Sequence, residues 1–166
     1  LTARSLTSLL RGSRALNGRL AAYGQYDFLR DEFAGVEQRH VFEAGLSYLA
    51  LDAAPHTLRF DGGLGYLYEE RPDDELRSAT LSLGAAYRLA ISATSELTIQ
   101  PRFLLPLAET ERWKFDQEAA LVVAVNTTLA LKLSHTLRYS AEPPEGFETT
   151  DTIMAVSLVA KLQRPR

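Results

Sequence analysis

The chain has 166 residues, with 18 lysines and arginines against 21 aspartates and glutamates, a net charge of −3, and no cysteine. This is one domain's worth of chain, and its mild acidity gives no reason to expect a nucleic-acid partner. The lack of cysteine excludes a disulfide framework, a zinc-thiolate centre and a cysteine nucleophile. The longest uninterrupted apolar run, Ala119 to Val125, is far short of the roughly 20 residues that a membrane helix needs, so a membrane-spanning form of this chain would cross with strands.

The helical template fails almost throughout, whereas apolar and polar residues alternate in stretches of about ten, which is the strand pattern. In chain order, Thr2 to Gly12 is an ambiguous first strand, and Arg19 to Leu29 and His40 to Leu51 are weaker copies of the later ones. Thr57 to Glu69 is the clearest. Leu58, Phe60, Gly62, Leu64, Tyr66 and Tyr68 share one face, and Thr57, Arg59, Asp61, Gly63, Gly65, Leu67 and Glu69 share the other, because successive strand side chains point to opposite sides. Ser78 to Leu89, Leu97 to Ala108, Trp113 to Asn126, Leu129 to Ser140 and Asp151 to Leu162 repeat the pattern, for an expected total of nine strands.

The polar face is rich in Gly, Ala, Ser and Thr with single charges among them, a composition that suits a crowded lumen better than a solvated exterior. Its charges are Arg19, Asp27, Glu43, Arg59, Asp61, Arg88, Arg102, Asp116, Glu118, Lys132 and Arg138. Their mixed signs favour pairing across strands over a selectivity ring of one sign. On the apolar face, Tyr26, Phe28, Tyr66, Tyr68, Trp113, Phe115 and Tyr139 fall near one set of strand ends, and Tyr48, Phe60 and Tyr87 near the other. Two such belts are what the two interfaces of a bilayer select. The expected fold is therefore all-β, an antiparallel up-and-down transmembrane β-barrel forming a single domain over residues 1–166.

The connections carry a second signal, since outer-membrane barrels alternate short periplasmic turns with longer outside loops. Ala15 to Gly18 (with an Asn-Gly pair suited to a tight turn), Asp52 to Pro55, Ser92 to Ser95 and Asn126 to Thr128 read as short. Arg30 to Arg39, Glu70 to Glu75, Glu109 to Arg112 and Glu142 to Thr150 read as longer. This alternation puts residue 162 on the periplasmic side and residue 1 outside. An even-stranded barrel with both ends periplasmic then leads to the expectation that the chain is the C-terminal part of a longer precursor with further strands before Leu1.

Two loop motifs, Arg30-Asp31-Glu32-Phe33-Ala34-Gly35-Val36 and Pro143-Pro144-Glu145-Gly146-Phe147-Glu148-Thr149-Thr150-Asp151-Thr152, carry a family resemblance together with His56-Thr57-Leu58-Arg59 ahead of Gly65-Tyr66. In this order and spacing the chain resembles, from about Arg19 to Leu162, a family of uncharacterised salt-induced outer membrane proteins. The resemblance implies a Gram-negative outer-membrane location, a role in the envelope under salt stress, and longer relatives with a signal peptide and additional strands. It implies no catalytic residues and no cofactor. Such barrels usually finish on an aromatic residue that the barrel assembly machinery reads; here Val156, Leu158 and the strand pattern would have to serve.

Other chemistry can be weighed on the same residues. Ser134 and His135 are adjacent in a strand and face opposite ways, so they cannot form a hydrogen-bonded acyl-transfer pair. His40 and His56 lie at opposite ends of one hairpin, and the three histidines lack the spacing of a metal site. Gly62-Gly63-Leu64-Gly65 stands inside a strand with no helix following, unlike a phosphate loop. The acids Glu32, Glu37, Glu69, Glu70, Asp73, Asp74, Glu142, Glu145 and Glu148 are expected in outside loops, as solubilising charge or as ligands for cations bridging lipopolysaccharide phosphates. The expected partners are outer-membrane lipid, lipopolysaccharide, the assembly machinery, and small solutes or ions. The leading reading is a non-enzymatic structural barrel or narrow, porin-like pore. Its rivals are an outer-membrane hydrolase acting on lipid or lipopolysaccharide, which would gather titratable groups at one rim, and a soluble ligand-binding barrel, which would turn its apolar face inward around a cavity.

Overall fold

The computed structural model describes residues 5–31, 36–71, 74–143 and 146–160. Nine strands follow one another in the chain: β1 (Ser5–Ala15), β2 (Leu20–Asp31), β3 (Val36–Ala53), β4 (His56–Arg71), β5 (Asp74–Ala90), β6 (Ser95–Pro106), β7 (Lys114–Ala124), β8 (Leu129–Ser140) and β9 (Thr150–Ala160). A single 3-10 turn, Thr110–Arg112, interrupts the connection between β6 and β7. Each strand pairs antiparallel with the next, so the sheet order is the chain order, β1 to β9. This is the meander that up-and-down alternation demands.

Two of the turns at one end are held by asparagine side chains. Asn17 Oδ1 accepts from the backbone N–H of Arg19 and Leu20, and Asn126 Oδ1 accepts from Thr128 and Leu129, all at 2.8–2.9 Å. In both cases the side chain imitates a backbone carbonyl and reverses the chain. The Asn17-Gly18 pair accordingly sits in a four-residue reversal over residues 16–19 and not in a two-residue hairpin turn. At the other end the difference from expectation is larger. β3 begins at Val36 and β4 runs to Arg71, so most of the residues assigned to the second and fourth connections extend the β2–β3 and β4–β5 hairpins. Pairing continues there because every backbone N–H and C=O that remains in a ladder is satisfied. Of the acids expected in loops, Glu37 therefore lies in β3, Glu70 in β4 beside Glu69, whose place at the end of that strand holds, and Asp74 in β5. Glu32, Asp73 and Glu145, the middle of the first loop motif, Pro144 of the second, and the last two residues of the expected ninth strand lie outside the described residues.

The sheet is strongly curled. Strands β2 and β6 are four places apart, about 19 Å in a flat sheet, yet Arg102 on β6 lies 2.8 Å from Asp27 on β2. Arg11 on β1 likewise reaches Asp61 on β4, at 2.9 Å. The nine strands thus form a curled half-barrel whose concave face carries the charges. Its convex face carries Leu64, Leu83, Leu133, Val156 and Leu158, each half or more exposed. That outward apolar surface is the reverse of a soluble ligand-binding barrel.

Curling also packs a small core inside. Val41, Leu67, Leu76 and Leu104, from four successive strands, form a buried cluster on the concave side. Tight backbone approach makes the curl possible at two glycines. A Cβ on Gly45 would fall on the carbonyl oxygen of Gly62, and one on Gly65 would fall on that of Phe42.

Candidate functional site: a charged interior

A cavity of about 270 Å³ occupies the concave face. Among the charges expected on the polar face, Asp27, Glu43, Arg59, Asp61, Arg102, Asp116, Glu118 and Arg138 line it. They are brought together by the period of two within each strand and the curl between strands.

The interior is a chain of ion pairs. Arg102 forks between Asp27 (Nη1 to Oδ2, 2.8 Å) and Glu43 (Nη2 to Oε2, 2.7 Å). The second oxygen of Glu43 accepts from the Tyr23 hydroxyl. The Tyr23 ring lies 3.9 Å beneath the guanidinium of Arg11, within range of a cation–π contact. Arg11 in turn donates to Gln25, Ser47 and Asp61 at 2.8–3.0 Å, and Asp61 is also paired with Arg59 at 3.1 Å. On the next strands, Lys132 reaches Glu118 at 2.6 Å. In the ladder register, Arg102 faces Asp116, Asp116 faces Arg138 and Arg138 faces Asp151, so four strands carry one row of alternating sign. Charge-assisted bonds of this kind are the stronger class of hydrogen bond.

Three of the expected charges do not line this cavity: Lys132, which meets it only through Glu118, and two that lie apart from it. Arg19 is exposed in the reversal between β1 and β2. Arg88 pairs with Glu96 at 2.7 Å, near the β5–β6 turn.

Several interior groups were not among the expected ones. Arg11, Tyr23 and Arg39 line the cavity, and Lys114 donates to Glu69 at 2.5 Å with both side chains buried. For Arg11 the strand pattern is too weak to assign a face, and Tyr23, which shares the parity of Asp27, is an aromatic ring on a face read mainly through its charges and small residues. Lys114, Glu69 and Arg39 sit near strand ends, where the alternation merges with charge expected of loops.

The convex face gathers the expected aromatic residues into rows. Tyr26 stands opposite Phe42 and Phe42 opposite Tyr66; Phe28 stands opposite His40 and His40 opposite Tyr68. Phe115 lies between Phe103 and Tyr139 in register, and Trp113 packs on Phe103 and Tyr139 with ring centroids 5.4 and 4.8 Å apart. Towards the other strand ends, Tyr48 faces Phe60, and the Tyr87 hydroxyl meets His56 Nδ1 at 2.7 Å. The imidazole of His40 is taken up in the same way, by the Tyr26 hydroxyl at 2.7 Å. His135 lies on the convex face beside Met154, its partner in register, while Ser134 faces the concave side. The serine and histidine thus point away from each other.

A solved structure with the same fold is the NanC porin in a rhombohedral crystal form, which aligns over 95% of this chain and 79% of its own with a TM-score of 0.66 at 9% identity. In sequence, the chain is 28% identical over 138 residues to the uncharacterized protein YdiY of Escherichia coli (strain K12), covering 82% of this chain and 53% of the relative. The chain therefore spans about half the length of the curated relative it matches. The resemblance carried by the loop motifs and by His56 to Arg59 extends over nearly the whole chain, for the profile of the family described as protein of unknown function, DUF481, matches residues 2–162, and the chain belongs to that family.

Proposed function

We propose that this chain is part of a non-enzymatic β-barrel of the bacterial outer membrane, within one barrel domain, and that the barrel acts as a narrow pore for ions or small solutes. The observation that carries the reading is the pairing of an exposed apolar convex face with a cavity lined by ionised side chains on the concave one. A bilayer supplies the surroundings for the first and water for the second. In this reading the convex aromatic rows sit at the two headgroup levels, and lipid and lipopolysaccharide are the outer partners. The assembly machinery inserts the barrel, and the interior ion pairs brace the wall while leaving polar groups along the path.

A second reading, a purely structural barrel serving the envelope under salt stress, is favoured by the buried cluster of Val41, Leu67, Leu76 and Leu104 beside the Lys114–Glu69 pair. These fill part of the interior with groups that do not conduct.

One experiment separates the two. The full-length protein is refolded into a planar bilayer and single-channel current recorded, with a heat-modifiable gel shift reporting folding. Discrete current steps are expected. A folded but silent barrel refutes the pore and leaves the structural reading.

A further inference from the structure

The three histidines of the chain all stand on the convex face, and two of them have a hydrogen-bond partner there. The ring of His40 meets the Tyr26 hydroxyl and that of His56 the Tyr87 hydroxyl, each at 2.7 Å. His135 is different. Its neighbours in register are Ala119 on β7 and Met154 on β9, and no hydrogen bond or ion pair reaches its ring among the described residues. Tyr139, in the aromatic row, lies four residues further along β8, about 10 Å along the membrane normal for a tilted strand. In an apolar band about 25 Å tall, His135 therefore faces the bilayer near mid-depth. Lipid chains offer an imidazole no partner, and polar side chains persist at that depth where another group pairs with them.

The surroundings of this ring have a shape as well. An apolar groove of about 230 Å³ runs beside it, bordered by Ala119 and Leu121 on β7, Leu133 on β8 and Met154 on β9. Met154 stands on the outermost strand and is 77% exposed. The patch thus joins a hollow, a protruding flexible side chain and one unpaired polar ring. The positions that share its side on β7, β8 and β9 carry no lysine, arginine, aspartate or glutamate, so no charge repels an identical face.

We propose that this face is where two copies of the protein meet in the membrane. Two copies inserted in the same sense are related by a two-fold axis along the membrane normal, which sets the same patch against itself. Met154 of each copy then enters the groove of the other, a fit to which an unbranched thioether adapts. The two imidazoles lie near the axis. A neutral imidazole has one donor and one acceptor, so one ring donates to the other in a single N–H···N bond. A lipid chain fills the groove but leaves the ring unpaired, whereas a second copy answers both. The inference rests on the membrane-barrel reading above and is independent of conduction.

The test is energy transfer between donor- and acceptor-labelled copies of the full-length protein in phosphatidylcholine vesicles. The labels sit on Thr127→Cys in the exposed β7–β8 turn; the heat-modifiable gel shift reports folding, and flotation reports insertion. Wild-type transfer is expected to saturate with the protein-to-lipid ratio and to be competed by unlabelled protein. Met154→Ala raises the dissociation constant about tenfold, as loss of a central packed anchor does, and His135→Leu about fivefold, the worth of one hydrogen bond within a membrane. Ala119→Phe fills the groove and abolishes transfer, while Leu83→Ala on β5 leaves it unchanged. Met154→Ala keeps the face testable if Ala119→Phe does not fold. A folded, inserted wild type without competable transfer overturns the dimer and leaves the membrane barrel, with lipid or a different protein in the groove. Saturable transfer that none of Met154→Ala, His135→Leu and Ala119→Phe weakens overturns it too, because the copies then meet elsewhere. A protein that does not float with the vesicles overturns the membrane reading and the inference together.

Discussion

Lys114 on β7 donates to Glu69 on β4 across the inside of the half-barrel, at 2.5 Å, with side-chain exposures of 5% and 0%. Neither group meets enough solvent to stay charged comfortably alone. Removing one partner takes this counter-charge away from the other in its buried setting, at a cost of about 3–5 kcal/mol. Lys114→Met and Glu69→Gln are each expected to destabilise the protein by that order in urea unfolding from lipid vesicles. The double variant should recover most of the loss, because an apolar and a neutral polar group in the same space need no counter-charge. A double variant as unstable as the sum of the singles would show that the two residues act independently.

Gly65 is expected to be intolerant of a side chain. Its missing Cβ would overlap the carbonyl oxygen of Phe42 on the neighbouring strand and press on Thr80, so Gly65→Ala should cost about 1–3 kcal/mol through strain. Gly62, three residues away in the same strand, has only Leu83 within ordinary contact, at 3.7 Å. Gly62→Ala should be close to neutral. Equal effects of the two substitutions on the unfolding midpoint would contradict the close approach of β3 and β4.

The membrane placement can be probed on the convex wall by depth. Leu64, in the middle of β4, is 65% exposed, and Leu64→Arg is expected to destabilise the folded protein in lipid by about 2–4 kcal/mol, the cost of a cation near the midplane. Leu51, close to the β3–β4 turn, should tolerate the same change at about 0–1 kcal/mol, because interfacial positions are wet. The unfolding free energy in vesicles measures both. The reverse order would contradict a bilayer centred on the middle of β4.

Trp113 is the one tryptophan of the chain, and it lies against Phe103 and Tyr139 at one end of the strands. In an interfacial belt its indole sits at headgroup depth. Lipids brominated near the headgroup should quench its fluorescence more strongly than lipids brominated at the acyl end. Strongest quenching from the acyl end would put this row of rings in the hydrocarbon and displace the belt.

The strands were readable because a period of two survives in single segments: β4 and β8 differ from their expected ranges by no more than two residues at either end. Strand ends were not, since whether β3 begins at Val36 or at His40 depends on whether a partner strand is present to take its hydrogen bonds. The interior was readable in outline for the same reason as the strands. Asp27, Glu43, Asp61 and Arg102 fall on the polar face of their own segments, and the curl brings them together. What one segment cannot reveal is a neighbour several strands away. Leu67 and Leu104 stand on the polar face of their own segments, yet they meet Val41 and Leu76 inside, and Glu69, at a strand end where loop charge is also expected, has a counter-ion three strands on.

The row from Arg102 through Asp116 and Arg138 to Asp151 also bears on how the sheet is put together. A strand that adds to its neighbour one position out of step turns every side chain to the wrong side and is rejected on hydrophobic grounds alone. A shift of two positions preserves the sides, and greasiness cannot detect it. Charge can: sliding β8 two positions so that Arg138 comes opposite Lys114 sets like charges against each other, at a penalty that matched pairs do not carry. The strip thus marks the correct register against a slide in that direction, a misassembly to which the alternating pattern is blind, whereas a slide the other way brings Arg138 opposite Glu118 and is left to the remaining contacts.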